Sequence, residues 1–250
     1  IAQNVQLQLK SIGVELAQQF VSESLLPMTR SWNKDTIVEI SINRQAQNIP
    51  WELVYNESDF WGNKFLIVRK PRRQLRSHSV LLIPNNGVSK QACQRMPIHI
   101  IGARLDKYHL QLKSLFSEHV REGLSANDVV ESLFNAGIIH LTCHGHLAEG
   151  EIQLELGSGP FDHLTPRLVE LLPDLTGSLI FINACNSAMS VPFLGREISF
   201  AWSFYEKGAS SFLGTISTVP IEYALDFATA FYVSFMDGAT VAEALIYARQ

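Results

Sequence analysis

Gly-Ile-Ile-His-Leu-Thr-Cys-His-Gly-His (residues 137–146) and Ser-Leu-Ile-Phe-Ile-Asn-Ala-Cys-Asn-Ser-Ala (residues 178–188) decide how this chain is read. Each opens on a short apolar run rich in β-branched residues and stops abruptly in polar, reactive side chains. A buried parallel strand that delivers side chains to its carboxyl end has this pattern. Open α/β sheets keep their sites in the crevice beyond those ends. The first stretch therefore presents His144, followed by the permissive Gly145, and the second presents Cys185. Between them, a strand at Glu151–Leu156 and a helix from about Thr165 to Leu172 form a crossover that can set the two ends side by side. The reading is a Cys–His nucleophilic site.

Working outward, the flanks alternate strand and helix. Apolar positions Val5, Leu9, Ile12, Leu16, Phe20 and Leu25 follow a helical period that Pro27 ends. Residues 36–42 alternate as a strand, Ile49 to Tyr55 reads as a short helix with proline in its first turn, and 64–69 is a strand closed by Pro71. Further strands are expected at 78–83 and 97–103, then helices marked by Leu105, Tyr108, Leu112, Leu115 and Phe116 and by residues 127–135. Past Cys185 come a helix over 194–206 stopped by Lys207-Gly208, a strand over 209–217, a helix over 221–236 stopped by Asp237-Gly238, and a last helix from Thr240 to Arg249. Such alternation implies an α/β fold with a mostly parallel sheet and helices on both faces.

With 46% hydrophobic and 18% charged residues, and a formal charge of −4 over 250 residues, the composition is that of an ordinary globular protein. The basic run from Arg69 to Arg76 reads as a solvated turn, so no direct nucleic-acid partner is predicted. No apolar run approaches the length of a membrane span. Three cysteines, Cys93, Cys143 and Cys185, read as free thiols of a reducing compartment, the cytoplasm. The chain begins at Ile1 and stops inside a helical pattern, which predicts a piece of a longer protein.

Cys185 could be an inert core cysteine. Its neighbours Asn183, Asn186 and Ser187 are polar, however, and a reactive thiolate needs a partly exposed place with hydrogen-bonding company. Among the histidines, His140 lies within its strand and reads as a packing residue. His144 is preferred to His146 as the candidate imidazole, because Gly145 lets a backbone N–H approach a substrate oxygen. Strand alternation places His140, His144 and His146 on one parity, with Cys143 pointing away. That geometry and the missing second ligand pair set aside a zinc site, so no metal and no cofactor are called for.

Four segments carry a family resemblance. Ile49-Pro50-Trp51-Glu52-Leu53, Ile139-His140-Leu141-Thr142-Cys143-His144-Gly145, the Asn183-Ala184-Cys185-Asn186-Ser187 segment, and Gly208-Ala209 followed by Phe231-Tyr232, Gly238 and Ala242-Glu243-Ala244-Leu245 are similar to those of CHAT domains. These are bacterial and archaeal caspase-like cysteine peptidases related to caspases, separase and gingipain. The resemblance runs from about residue 36 to the end. It departs from the family where Ser217-Thr218-Val219-Pro220-Ile221 stands in place of Trp-x-Val-x-Asp, a region that shapes the primary specificity pocket in related peptidases. Gln91-Ala92-Cys93-Gln94 imitates the caspase nucleophile signature, but Arg95 replaces its glycine and no histidine precedes His78.

The resemblance implies a caspase-like fold in two parts, residues 1–90 as the amino-terminal part of the unit and 91–250 as the catalytic part. It implies a cysteine endopeptidase of prokaryotic defence or signalling, with Cys185 as nucleophile and His144 as general acid–base. The backbone N–H groups of Gly145 and Cys185 are the expected oxyanion hole. Partners would be a protein substrate and a regulatory protein, or an upstream repeat domain in the same chain. The substrate pocket is assigned to Asp226, Glu222, His146 and Asn183. Since Glu222 and Asp226 are the charged residues of 217–227, cleavage after a basic residue is expected. Solvated helix-face carboxylates are the alternative for that pair, and a catalytically silent interaction module is the alternative for the whole chain.

Overall fold

The computed structural model describes residues 2–34, 36–71, 98–102, 112, 115, 120–123, 129–130, 137–157, 162–172 and 174–250. Its strands are β1 (Ile37–Ile42), β2 (Leu66–Pro71), β3 (Ile98–Gly102), β4 (Val120–Gly123), β5 (Ile138–Thr142), β6 (His144–Ala148), β7 (Glu151–Glu155), β8 (His163–Leu164), β9 (Leu179–Asn183), β10 (Val191–Phe193), β11 (Arg196–Ile198) and β12 (Ser211–Leu213). The helices are α1 (Ala2–Phe20), α2 (Leu25–Thr29), α3 (Trp61–Lys64), α4 (Pro166–Val169), α5 (Phe200–Glu206), α6 (Ile221–Met236) and α7 (Val241–Arg249). The expected strand at 78–83, most of the helices over 105–116 and 127–135, Cys93, and the boundary near residue 90 lie outside the described residues.

The central sheet has the order β12-β9-β5-β3-β4, and every pair in it is parallel. Alternation along its strands feeds two cores. Ile139, Leu141, Ile180 and Ile182 pack with Val169 of α4 and Phe200 and Phe204 of α5. Ile138, Leu179, Phe181 and Leu213 face Ala228, Phe231, Tyr232 and Phe235 of α6 and Ala244 of α7. The sheet is thus parallel with helices on both faces, as the alternating pattern requires.

Residues before the central sheet build a third core. Parallel β1 and β2 pack with α1 and Trp51, Trp61 and Phe65. The Pro-Trp-Glu-Leu segment forms a 3₁₀ turn at Trp51–Leu53. It aims Glu52 at two arginines: Arg69 binds its carboxylate at 2.6 and 2.5 Å, and Arg249 of α7 lies 3.3 Å away. Burial pushes this carboxyl up, but the Arg69 hydrogen bonds and the charges of Arg69 and Arg249 outweigh burial and hold it below the usual carboxylate range.

Three expectations are corrected. The run 137–146 is not one strand. β5 ends at Thr142, and His144 begins β6 in a separate antiparallel sheet, β6-β7-β8. Parity therefore does not relate His140 to His144 and His146. The expected helix over 194–206 begins only at Phe200, because Leu194 and Gly195 take φ of 47° and 78° and turn a two-residue β10–β11 hairpin. Pro27 does not stop α1, which ends at Phe20. It sits in the first turn of α2, where no backbone N–H is needed.

Candidate active site

The carboxyl ends of β5 and β9 are neighbours, with Thr142 in register with Asn183. Beyond them the chain does two different things. After Thr142 it passes Cys143 and turns out into β6, whose return through β7 is a two-residue turn at Glu149-Gly150 with φ of 52° and 79°. After Asn183 it closes into a tight turn over Ala184–Ala188, with Asn186 at φ 59°. The Ser187 N–H donates to Ala184 O at 3.3 Å and the Met189 N–H to Asn186 O at 3.0 Å.

Gly145 fits the two together. A Cβ at this position would run into the carbonyl oxygen of Cys185 and lie 3.2 Å from its carbonyl carbon and 3.4 Å from Ala184 Cβ. Only a residue without a side chain lets the β6 backbone rest against the Cys185 peptide. His144 is exposed and Cys185 half-buried.

The Cys185 turn is cradled by the loop joining β12 to α6. The buried Ser187 hydroxyl donates to Ile182 O at 3.2 Å and accepts the Thr215 N–H at 3.0 Å. The Thr215 hydroxyl donates to Ala184 O at 2.6 Å, and the Asn186 and Ala188 N–H groups donate to Ser217 O and Thr215 O. The Cys185 thiol itself points to Val219 O at 3.9 Å. Among the described residues the Cys185 N–H has no hydrogen-bond partner, leaving a donor free at the turn. Sequence reasoning noted Ser187 only as a polar neighbour of Cys185 and missed Thr215 and the bond between the two. Their signal was faint, a glycine at 214 whose added Cβ would meet Ser187 Oγ at 2.9 Å.

The remaining site candidates divide. Nδ1 of His146 lies 3.6 Å from Glu155, and its ring meets His163 edge-on at 6.2 Å. Glu155, directly opposite His144 in the ladder, is an acidic neighbour that strand counting could not supply without the hairpin register. Asn183 uses its amide to donate to Ala224 O at 3.0 Å, tying β9 to the first turns of α6. Glu222 and Asp226 are exposed and one turn apart on that helix. His140 is fully buried, between Tyr232 Oη at 3.1 Å and Thr142 Oγ1 at 3.0 Å, with Phe181 edge-on at 4.9 Å.

Burial, with the Glu155 charge adding to it, pushes Cys143 up to about 12, so it stays protonated at neutral pH. Cys143 packs against the core under α4 and α5. Among the described residues, no group of three or more His, Cys, Asp or Glu side chains is arranged to hold a metal ion. No described helix is long and apolar enough to cross a membrane.

Comparison with known families finds that the family model described as CHAT domain matches residues 10–250. No curated protein matches the chain.

Proposed function

We propose, from the premise that the chain belongs to the CHAT domain family, that it is a cysteine endopeptidase working through His144 and Cys185. The family is related to cysteine peptidases, which supports a peptidase-like reading. The observation that carries the finer one is the seating of Gly145 on the Cys185 peptide. It sets the strand that begins at His144 directly beside the nucleophile turn, while Cys143 is held protonated. The caspase-like arrangement, the division near residue 90 and a cytoplasmic place of action belong to this proposal.

In the proposed reaction the Cys185 thiolate adds to the scissile carbonyl. His144 protonates the departing amine and then activates water to hydrolyse the thioester. The N–H groups of Cys185 and Gly145 receive the oxyanion. In the resting chain the thiol points to Val219 O, and among the described residues no side-chain hydrogen bond joins His144 to Cys185. This supports a resting state that a regulatory protein or appended domain converts to the active one. The same observation favours the second reading, a silent interaction module. Glu222 and Asp226, which flank in α6 the Ala224 whose carbonyl Asn183 binds, are the proposed pocket for a basic residue before the cut, with Asn183 and His146 assigned to the same pocket.

Peptide-library cleavage with and without cell extract tests both readings. Cuts after Arg or Lys, lost in Asp226→Asn or Glu222→Gln, are expected. Cleavage after apolar residues, unchanged in both variants, would refute the pocket, and no cleavage under any condition would favour the silent module.

A further inference from the structure

We propose that Asn48 is a positioning residue for the Cys185 turn, through which the amino-terminal unit holds the nucleophile in place. The inference rests on the peptidase reading above. Asn48 precedes the Pro-Trp-Glu-Leu segment and is itself exposed, yet its amide spends both functions on one distant residue. Nδ2 donates to Ser190 O at 3.0 Å, and Oδ1 accepts the Ser190 N–H at 2.8 Å, across 142 positions of sequence. A single carboxamide thus satisfies both backbone groups of a buried residue, as a neighbouring strand would.

Ser190 lies two residues beyond the turn that carries Cys185, in the segment leading into β10. On its near side the turn is held by Thr215, Ser217 and the Ser187 hydroxyl. On its far side it runs into β10, and there the holding groups come from residues 44–48. Besides Asn48, Arg44 donates to Glu197 O at 3.0 Å, and Gln47 accepts from the Ser199 hydroxyl that caps α5. The 3₁₀ turn at Arg44–Ala46 is itself capped by Asn43, whose side chain accepts the Ala46 N–H at 2.9 Å. Residues 44–48 therefore hold the 190–199 segment at three points, and Asn48 makes the one nearest Cys185 along the chain. A partner that displaced residues 44–48 would release the turn without touching the reacting groups.

The test reads the turn itself. The full chain and its Asn48→Ala and Asn48→Asp variants are alkylated under native conditions at neutral pH with iodoacetamide, and labelling of each cysteine is followed by mass spectrometry. Asn48→Asp keeps the acceptor but sets a carboxylate against Ser190 O. Both variants should label Cys185 about tenfold faster, as expected when two ordinary hydrogen bonds are lost. Labelling of Cys143, which is also half-buried but packs against the core under α4 and α5, away from residues 44–48, should not change. In an assay where the wild type turns over peptide, kcat should fall with KM within about twofold; loss of folded protein would give the same split, and unchanged Cys143 labelling is what excludes it. Unchanged Cys185 labelling, a parallel rise at both cysteines, or unaltered kcat overturns the proposal. A wild type that cleaves nothing counts against the peptidase reading, and the labelling ratio then decides the role of Asn48 by itself.

Discussion

Gly145→Ala is the perturbation whose consequence follows most directly from the geometry. The added methyl meets a backbone carbonyl, Cys185 O, with the Cys185 carbonyl carbon at 3.2 Å and Ala184 Cβ at 3.4 Å behind it. None of these is the movable tip of a long side chain. The β6 strand must retreat by about 1 Å to restore ordinary contact, and a displacement of that size between catalytic groups can cost about 10²-fold in rate. The Gly145 N–H would move with it, and loss of one oxyanion donor is worth about 10²–10³-fold. Stability should fall by about 1–3 kcal/mol through overpacking, which lowers Tm by about 2–4 °C per kcal/mol in a chain of this size. The assay is kcat/KM on the best library peptide, with Tm measured alongside. Gly150→Ala is the matched control: its φ of 79° also strains an alanine, but no atom lies within 4 Å of the added Cβ. It should lose stability and keep activity. Activity of Gly145→Ala within about threefold of wild type, or an equal loss in Gly150→Ala, would refute the assigned role of this contact.

Two further outcomes follow from named contacts. His144→Ala should reduce the rate by about 10²–10⁴-fold, whereas His146→Ala, losing a 3.6 Å contact to Glu155, should reduce it far less; steady-state kinetics separate them. Glu52→Gln should lower stability at neutral pH by about 3 kcal/mol, because it strands Arg69 and Arg249 at a partly buried site. Since the Glu52 carboxyl is held below its ordinary value in the folded chain, its contribution is present above the unfolded pKa and is lost as pH falls through the folded one. Urea titrations in the acid range should therefore show a steeper loss in the wild type than in Glu52→Gln.

The two stretches that opened the reading placed β5 and β9, their adjacency and the reactive residues beyond their ends. Apolar β-branched runs and capping signals are local, so short windows reveal them. Gly208 and Gly238, with φ of 92° and 104°, stop α5 and α6 where the sequence signal put them. What escaped was tertiary. The break at Cys143 leaves no composition signal, because β6 continues the same alternation in another sheet. Leu194-Gly195 is a hairpin turn inside what otherwise reads as a helical period. Asn48, Thr215 and Glu155 matter through partners far away in sequence or across a hairpin, and one chain read alone carries no record of such pairing.

The central claim is that Cys185 is the thiol that cuts peptide bonds. The direct measurement is cleavage of the library by the wild type and by Cys185→Ala and Cys143→Ala variants of matched Tm, each assayed with and without cell extract. The account predicts that Cys185→Ala is inactive, that Cys143→Ala keeps most of its rate because its thiol is protonated and packed away, and that a peptide-based thiol probe becomes attached to Cys185. Equal loss in Cys143→Ala, or undiminished cleavage by Cys185→Ala, would contradict it.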